Sequence, residues 1–111
     1  MFDNIAAQFA GKGDVLHFAE GLEPGAVREL SDRIAKVCGG TAAVFSGNDE
    51  NGYSVCLVNH NAPVADLGKS MNAALSGRGG GKPGFFQGSV KATEASIREF
   101  FAKCYKLGNL S

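Results

Sequence analysis

Three consecutive glycines, Gly79, Gly80 and Gly81, stand between two cations, Arg78 and Lys82. They lie in the stretch Leu75-Ser76-Gly77-Arg78-Gly79-Gly80-Gly81-Lys82-Pro83-Gly84-Phe85-Phe86-Gln87. Glycine has no Cβ to bar positive φ, so such a run can turn tightly and bring backbone N–H groups close to a ligand. Successive N–H groups in a tight turn form a concavity for anions. Arg grips a phosphate bidentately, and Lys acts on it as a point charge. The chemistry expected here is therefore anion binding, phosphate above all. Gln87 offers an amide to read a base edge or to orient the glycines, and Phe85 offers a ring for base stacking. Lys69, Asn72 and Lys91 are further candidates, by polarity and nearness in sequence. A plainer reading makes Gly77 the C-cap of a helix and the rest a flexible loop. The run is neither a dinucleotide fingerprint nor a Walker loop, because no helix opens directly after the glycines.

Other chemistries lack their residues. Neither His17 nor His60 has a Cys or a second His at a metal-ligand spacing. Ser46, Ser70, Ser76 and Ser89 have no His-and-acid partners that the sequence can place, which disfavours a serine nucleophile. The carboxylates of the second half are Asp66, Glu94 and Glu99, and none is paired beside the glycines for acid–base work. The chain is thus expected to bind rather than to catalyse. Cys38, Cys56 and Cys104 are odd in number and widely spaced. They read as reduced thiols of a cytoplasmic protein, with Cys38 and Cys104 on apolar helix faces.

With 111 residues, 44% hydrophobic and 20% charged, the composition suits one ordinary globular domain with a modest core. No apolar run is long enough to span a bilayer, and Met1-Phe2-Asp3-Asn4-Ile5 does not read as a secretory signal. Net charge is zero but unevenly spread. Residues 1–65 hold four cations against eight carboxylates; residues 66–111 hold seven against three. The half with the glycines is basic, the footprint expected for a phosphate-backbone partner.

Elements must position these residues. Phe2, Ile5 and Phe9 recur at helical spacing, and Gly11-Lys12-Gly13 breaks the segment. Residues 15–19 read as a strand. Pro24 suits a first helical position, and Val27, Leu30, Ile34 and Val37 give a helix over 24–38 that Gly39-Gly40 stops. Residues 41–46 and 53–59 read as a hairpin across a polar turn. Pro63 opens a helix with Val64, Leu67, Met71 and Leu75 inside. Residues 86–92 read as the fourth strand. Thr93 caps a last helix with Ile97, Phe100, Phe101 and Cys104 as its stripe, Glu94 in its first turn, and Lys103 and Lys106 at its end. The order β-α-β-β-α-β-α predicts an α/β (mixed α+β) fold, a small mixed sheet of about four strands with packed helices.

The stretch Gly77-Arg78-Gly79-Gly80-Gly81-Lys82-Pro83, with Gln87-Gly88 beyond it, resembles the glycine-rich signature of the DHH-associated domain. That domain closes alanyl-tRNA synthetases and the long form of the alanyl-tRNA editing proteins. Val15-Leu16-His17-Phe18 and Thr41-Ala42-Ala43-Val44-Phe45-Ser46 resemble the family's first two strands, and the resemblance covers about residues 14–107. It implies a tRNA-binding accessory domain over 14–111, with residues 1–13 the remnant of a longer helical linker and a further domain upstream. It implies phosphate contacts at Arg78 and Lys82, and backbone donors at Gly79, Gly80 and Gly81. It also implies pairing into a homodimer. The family's editing zinc belongs to an upstream domain, so no cofactor is expected here and deacylation is not expected of this chain. DHH phosphoesterases carry a histidine after the glycine triplet, where this chain has Lys82. That departure leaves the substrate-gripping half of a phosphoesterase as an alternative, beside a plain dimerisation module.

Overall fold

The computed structural model describes the backbone of residues 2–104 and the side chains of residues 4–103. Along the chain run α1 (Phe2–Ala7), β1 (Gly13–Ala19), α2 (Pro24–Cys38), β2 (Gly39–Asn48), β3 (Gly52–Val58), α3 (Ala65–Ala74), β4 (Gly77–Lys82), β5 (Phe85–Val90) and α4 (Glu94–Cys104). The strands form one mixed sheet in the order β1-β2-β3-β5-β4. β1 and β2 are parallel, and the other three pairs are antiparallel. The α/β class is as expected, with five strands where four were anticipated.

Handedness explains where the helices sit. β1 and β2 are parallel, joined through α2. β3 and β4 are also parallel to each other, with β5 between them, joined through α3. Both crossovers step the same way across the sheet, but their strands point in opposite directions. Right-handed connections then place α2 and α3 on opposite faces. Strand alternation supplies each face with its apolar set. On one face Val15, Ala42, Val44, Cys56 and Val58 meet Val27, Leu30, Ile34 and Cys38 of α2. On the other, Ala43, Phe45, Val55, Leu57, Phe86 and Val90 meet Val64 at the N-cap of α3, Met71 of α3, and Ile97 and Phe101 of α4.

The helix ends follow their residues. Pro24 opens α2, and Gly39 ends it in the left-handed region at φ 85°. Thr93 Oγ1 accepts the Ser96 N–H at 3.1 Å, the cap expected for α4. Asp49, from the β2–β3 turn, accepts the Glu94 N–H at 2.9 Å and the Tyr53 hydroxyl at 2.7 Å through the same carboxylate oxygen. These bonds hold the Asp49 carboxyl below its usual range. Burial, aided by that bond and by the Asp49 and Glu94 charges, pushes the Tyr53 phenol up to about 12. In α1, Ala6 is buried, and Ile5 and Phe9 pack against the α2-side cluster. The side chains of Phe2 and Cys104, and all of Lys106, lie outside the described residues.

The largest departure from expectation concerns the glycines. Residues 77–82 form β4, a sheet edge, and not a loop. A strand's N–H groups point alternately to either side, so the glycines form no anion-binding nest. Nor is Gly77 the left-handed residue after α3. Leu75 caps that helix by donating to Met71 O at 2.8 Å, and Ser76 takes φ 52°. Glycine is needed instead for close approach. A Cβ on Gly88 would strike the Arg78 carbonyl, and one on Gly79 would meet the Gly88 Cα at 2.6 Å.

Candidate nucleic-acid interface

Antiparallel register puts opposed residues on the same face. Arg78 faces Ser89, Gly80 faces Gln87 and Lys82 faces Phe85, all on the α2 side of the sheet. Gly77, Gly79 and Gly81 share the other side with Val90, Gly88 and Phe86. The strand therefore presents charge to one side and bare backbone to the other. Arg78 and Lys82 are four residues apart on an extended strand, about 13 Å at the usual rise, too far apart to grip one phosphate together.

The bare side is roofed by α3. Ala65, Lys69 and Asn72 lie at helical spacing above Gly79, Gly80, Gly81 and Lys82, and with Phe85 and Phe86 they enclose a cleft of ≈ 180 Å³. Gly68 lets the helix lie this low, since a Cβ there would run into the Phe86 ring. Asn72 Oδ1 is buried in the cleft wall without a hydrogen-bond partner among the described residues. Gly77 leaves room for it, since a Cβ at Gly77 would sit 2.7 Å from that oxygen. Buried acceptors are normally satisfied, so a donor brought in by a ligand would answer this one.

The remaining candidates separate. Phe86 is in the core at 4% exposure, while Phe85 is half-buried with the Arg28 guanidinium over its ring at 4.4 Å. Gln87 lies on the α2 side, where its Nε2 donates to Pro24 O at 3.2 Å. Lys91 lies away from the cleft. It borders a second depression with Asp49, Glu50, Asn51 and Thr93, at the acidic end of the sheet. His17 is partly buried edge-on to Phe9, and burial lowers its pKa. His60 pairs with Asp32 at 3.0 Å. Among the described residues no three His, Cys, Asp or Glu side chains are placed to hold a metal ion.

One electrostatic contrast marks the site. Arg33, Lys36, Arg98 and Lys103 each pair with a carboxylate four residues earlier on their own helix. Lys69, Arg78 and Lys82 are exposed and make no ion pair among the described residues, and Arg28 on α2 is the same. These four gather at the glycine edge, while Lys12 and Lys91, also exposed and without an ion pair among the described residues, lie elsewhere. Arg28 was not among the sequence candidates, because nothing in linear order ties it to residues more than fifty positions away. Its pairing with Phe85 exists only once α2 packs on the sheet.

A family model described as the DHHA1 domain matches residues 4–106. An alanine–tRNA ligase of Saccharopolyspora erythraea is 33% identical over 99 residues, which take in 75% of this chain and 11% of that protein. The chain thus spans only about a tenth of that relative's length. Among solved structures, the C-Ala domain from Aquifex aeolicus alanyl-tRNA synthetase is similar at a TM-score of 0.66 and 20% identity. The likeness covers 80% of this chain and 86% of that one, and at such identity it speaks for the fold. Its family match takes in both crossovers and the glycine edge, and this chain belongs to the DHHA1 domain family.

Proposed function

We propose that this chain is a tRNA-binding accessory domain of an alanine–tRNA ligase or an alanyl-tRNA editing protein, working in the cytoplasm. The observation that carries the reading is the set of unpaired, exposed cations around a strand with almost no side chains. Such an edge lets a polyanion approach the backbone closely, while Arg78 and Lys82 neutralise separate phosphates. In this reading Gln87 and Phe85 border the track. The cleft beneath α3, lined by Lys69 and Asn72, lies on the other side of the strand. The domain binds and does not react. Contacts that favour ground and transition states alike do not accelerate a step, and among the described residues the glycine edge has no acid–base pair beside it. Zinc chemistry, where the parent protein has it, belongs to another domain.

The phosphoesterase alternative is weakened by Lys82, which stands where those enzymes carry a histidine, the side chain suited to proton exchange near neutral pH. Homodimer formation is the lesser part of the proposal, since the stripe of α1 that invited it already lies against the α2-side cluster. Sedimentation with and without tRNA tests it.

The test of the main reading is affinity for alanine tRNA before and after replacing Arg78 and Lys82 together by Ala. Binding should weaken while the thermal transition stays nearly in place, because exposed unpaired charges contribute little to folding. Unchanged affinity would remove the glycine edge from the interface.

A further inference from the structure

Among the described residues, α2 packs mainly over β1, β2 and β3 and leaves most of the same face of β5 and β4 open. Along this open strip the register sets Phe85, Gln87 and Ser89 beside Lys82, Gly80 and Arg78. The strip is flat. Gly80 has open space where a side chain would be, and Ser89 is exposed. One long wall is the flank of α2. Pro24 touches the strip through its carbonyl bond to Gln87, and one helical turn on, Arg28 lays its guanidinium over Phe85. Phe85 therefore lies between two cations, with Arg28 over its ring and Lys82 opposite it in the ladder. The nearest helical neighbour able to neutralise Arg28 is Asp32. Its two oxygens are engaged by Lys36 at 3.2 Å and His60 at 3.0 Å.

We infer that this open face, rather than the cleft under α3, bears the nucleic acid, and that Arg28 is a third binding residue of the same surface. The inference rests on the tRNA-binding reading and fixes which side of β4 does the work. The occupant is a single-stranded or looped segment of RNA, selected by charge and shape. Three unpaired cations, Arg28, Arg78 and Lys82, border a flat strip without a carboxylate among its six ladder residues. A flat basic strip suits a sugar–phosphate backbone running across it. The Arg28 plane, held by the Phe85 ring, offers a stacking surface to an unpaired base. Lysine in its place would keep the charge and lose the plane.

The experiment uses the whole chain and labelled alanine tRNA, with affinity measured over a series of salt concentrations. Arg28→Ala should weaken binding roughly fivefold to tenfold and lower the salt slope by about 0.7–0.9, the share of one phosphate contact. Arg28→Lys should restore the slope but not the full affinity. It also retains the aliphatic stem against Phe85, so a loss of slope from misfolding is told apart by the melting transition. Lys69→Ala, on the far side of β4, should change neither quantity. Loss of slope in Lys69→Ala with none in Arg28→Ala would overturn the inference and leave the tRNA-binding reading standing. Indifference of binding to Arg28, Lys69 and the Arg78/Lys82 pair alike would overturn both. Preferential binding of an acidic peptide over tRNA would also overturn both.

Discussion

Two hairpins lie side by side in this sheet and are built on different terms. In β2–β3, Phe45, Val55 and Leu57 are buried on one face and Val44 and Cys56 on the other. The turn is tied by Asn48, which accepts the Asn51 N–H at 2.7 Å, and by Gly52 at φ 86°. In β4–β5 the outer strand is Gly-Arg-Gly-Gly-Gly-Lys and buries no apolar side chain. Its turn, Pro83-Gly84, takes no positive φ and so is not a primed hairpin turn. It is pinned instead by backbone bonds from Asn59 N–H to Gly84 O at 3.0 Å and from Val64 N–H to Pro83 O at 2.6 Å. One hairpin is held by packing, and the other by its ladder and its ends. An edge that contributes little to the core is free to be shaped for a ligand.

The largest test of that difference is Leu57→Ala against Gly80→Ala. Leu57 is fully buried, so its truncation should cost about 2–5 kcal/mol. A Cβ on Gly80 meets nothing within 4 Å, so Gly80→Ala should stay within about 0.5 kcal/mol. Urea midpoints measure both, and a comparable loss at Gly80 would mean that β4 is held by packing after all.

Gly88→Ala probes the contact that the edge does need. The added methyl collides with the Arg78 carbonyl, and a cost of about 1–3 kcal/mol is expected. Faster amide exchange at residues 78–81 should accompany it, with exchange in β2 unaltered.

Ser76→Gly should act in the other direction. Ser76 takes φ 52°, a conformation unfavourable for a residue with a Cβ, and relief should add about 1 kcal/mol to stability. A lowered melting temperature would show that the Ser76 side chain matters more than its backbone.

The smallest effect is expected at the packed hairpin's turn. Its hydrogen bonds hold the folded Asp49 carboxyl below the usual carboxylate range, so its contribution is fully present above that range. It is lost as pH falls through the lowered folded value. Asp49→Asn should flatten the acid limb of the stability profile, by a small loss at neutral pH and none at low pH. An unaltered acid limb would break the link between this turn and α4.

How far the sequence was legible follows the same division. The periodicities of Val27, Leu30 and Ile34, of Val64 and Met71, and of Ile97 and Phe101 identify three helices, because their faces are buried against the sheet. Residues 41–46 and 53–59 read as strands because β-branched and aromatic side chains fill both faces. β4 could not be read this way. A strand without side chains has no period, and its hairpin lacks the Asn-Gly or Asp-Gly turn that would have announced it. Lys69 and Asn72 were reached from nearness in sequence, and α3 does roof the glycines. Lys91 was reached by the same logic and falls beside the acidic turn instead, since β5 carries it to the far end of the sheet. Arg28 had no linear signal at all.

The central claim is that the unpaired cations on the open face of the glycine edge are the ones that meet phosphate. The most direct measurement compares two double variants in their salt dependence of tRNA binding. Arg78→Ala with Lys82→Ala removes two unpaired charges. Arg33→Ala with Lys36→Ala removes two that are paired on α2. Both lower the net charge equally. The first should reduce the slope of log K against log salt by about 1.4–1.8, at 0.7–0.9 per contact, and the second should leave it nearly unchanged. Equal reductions in the two would mean that tRNA responds to net charge alone, which contradicts a specific interface at this edge.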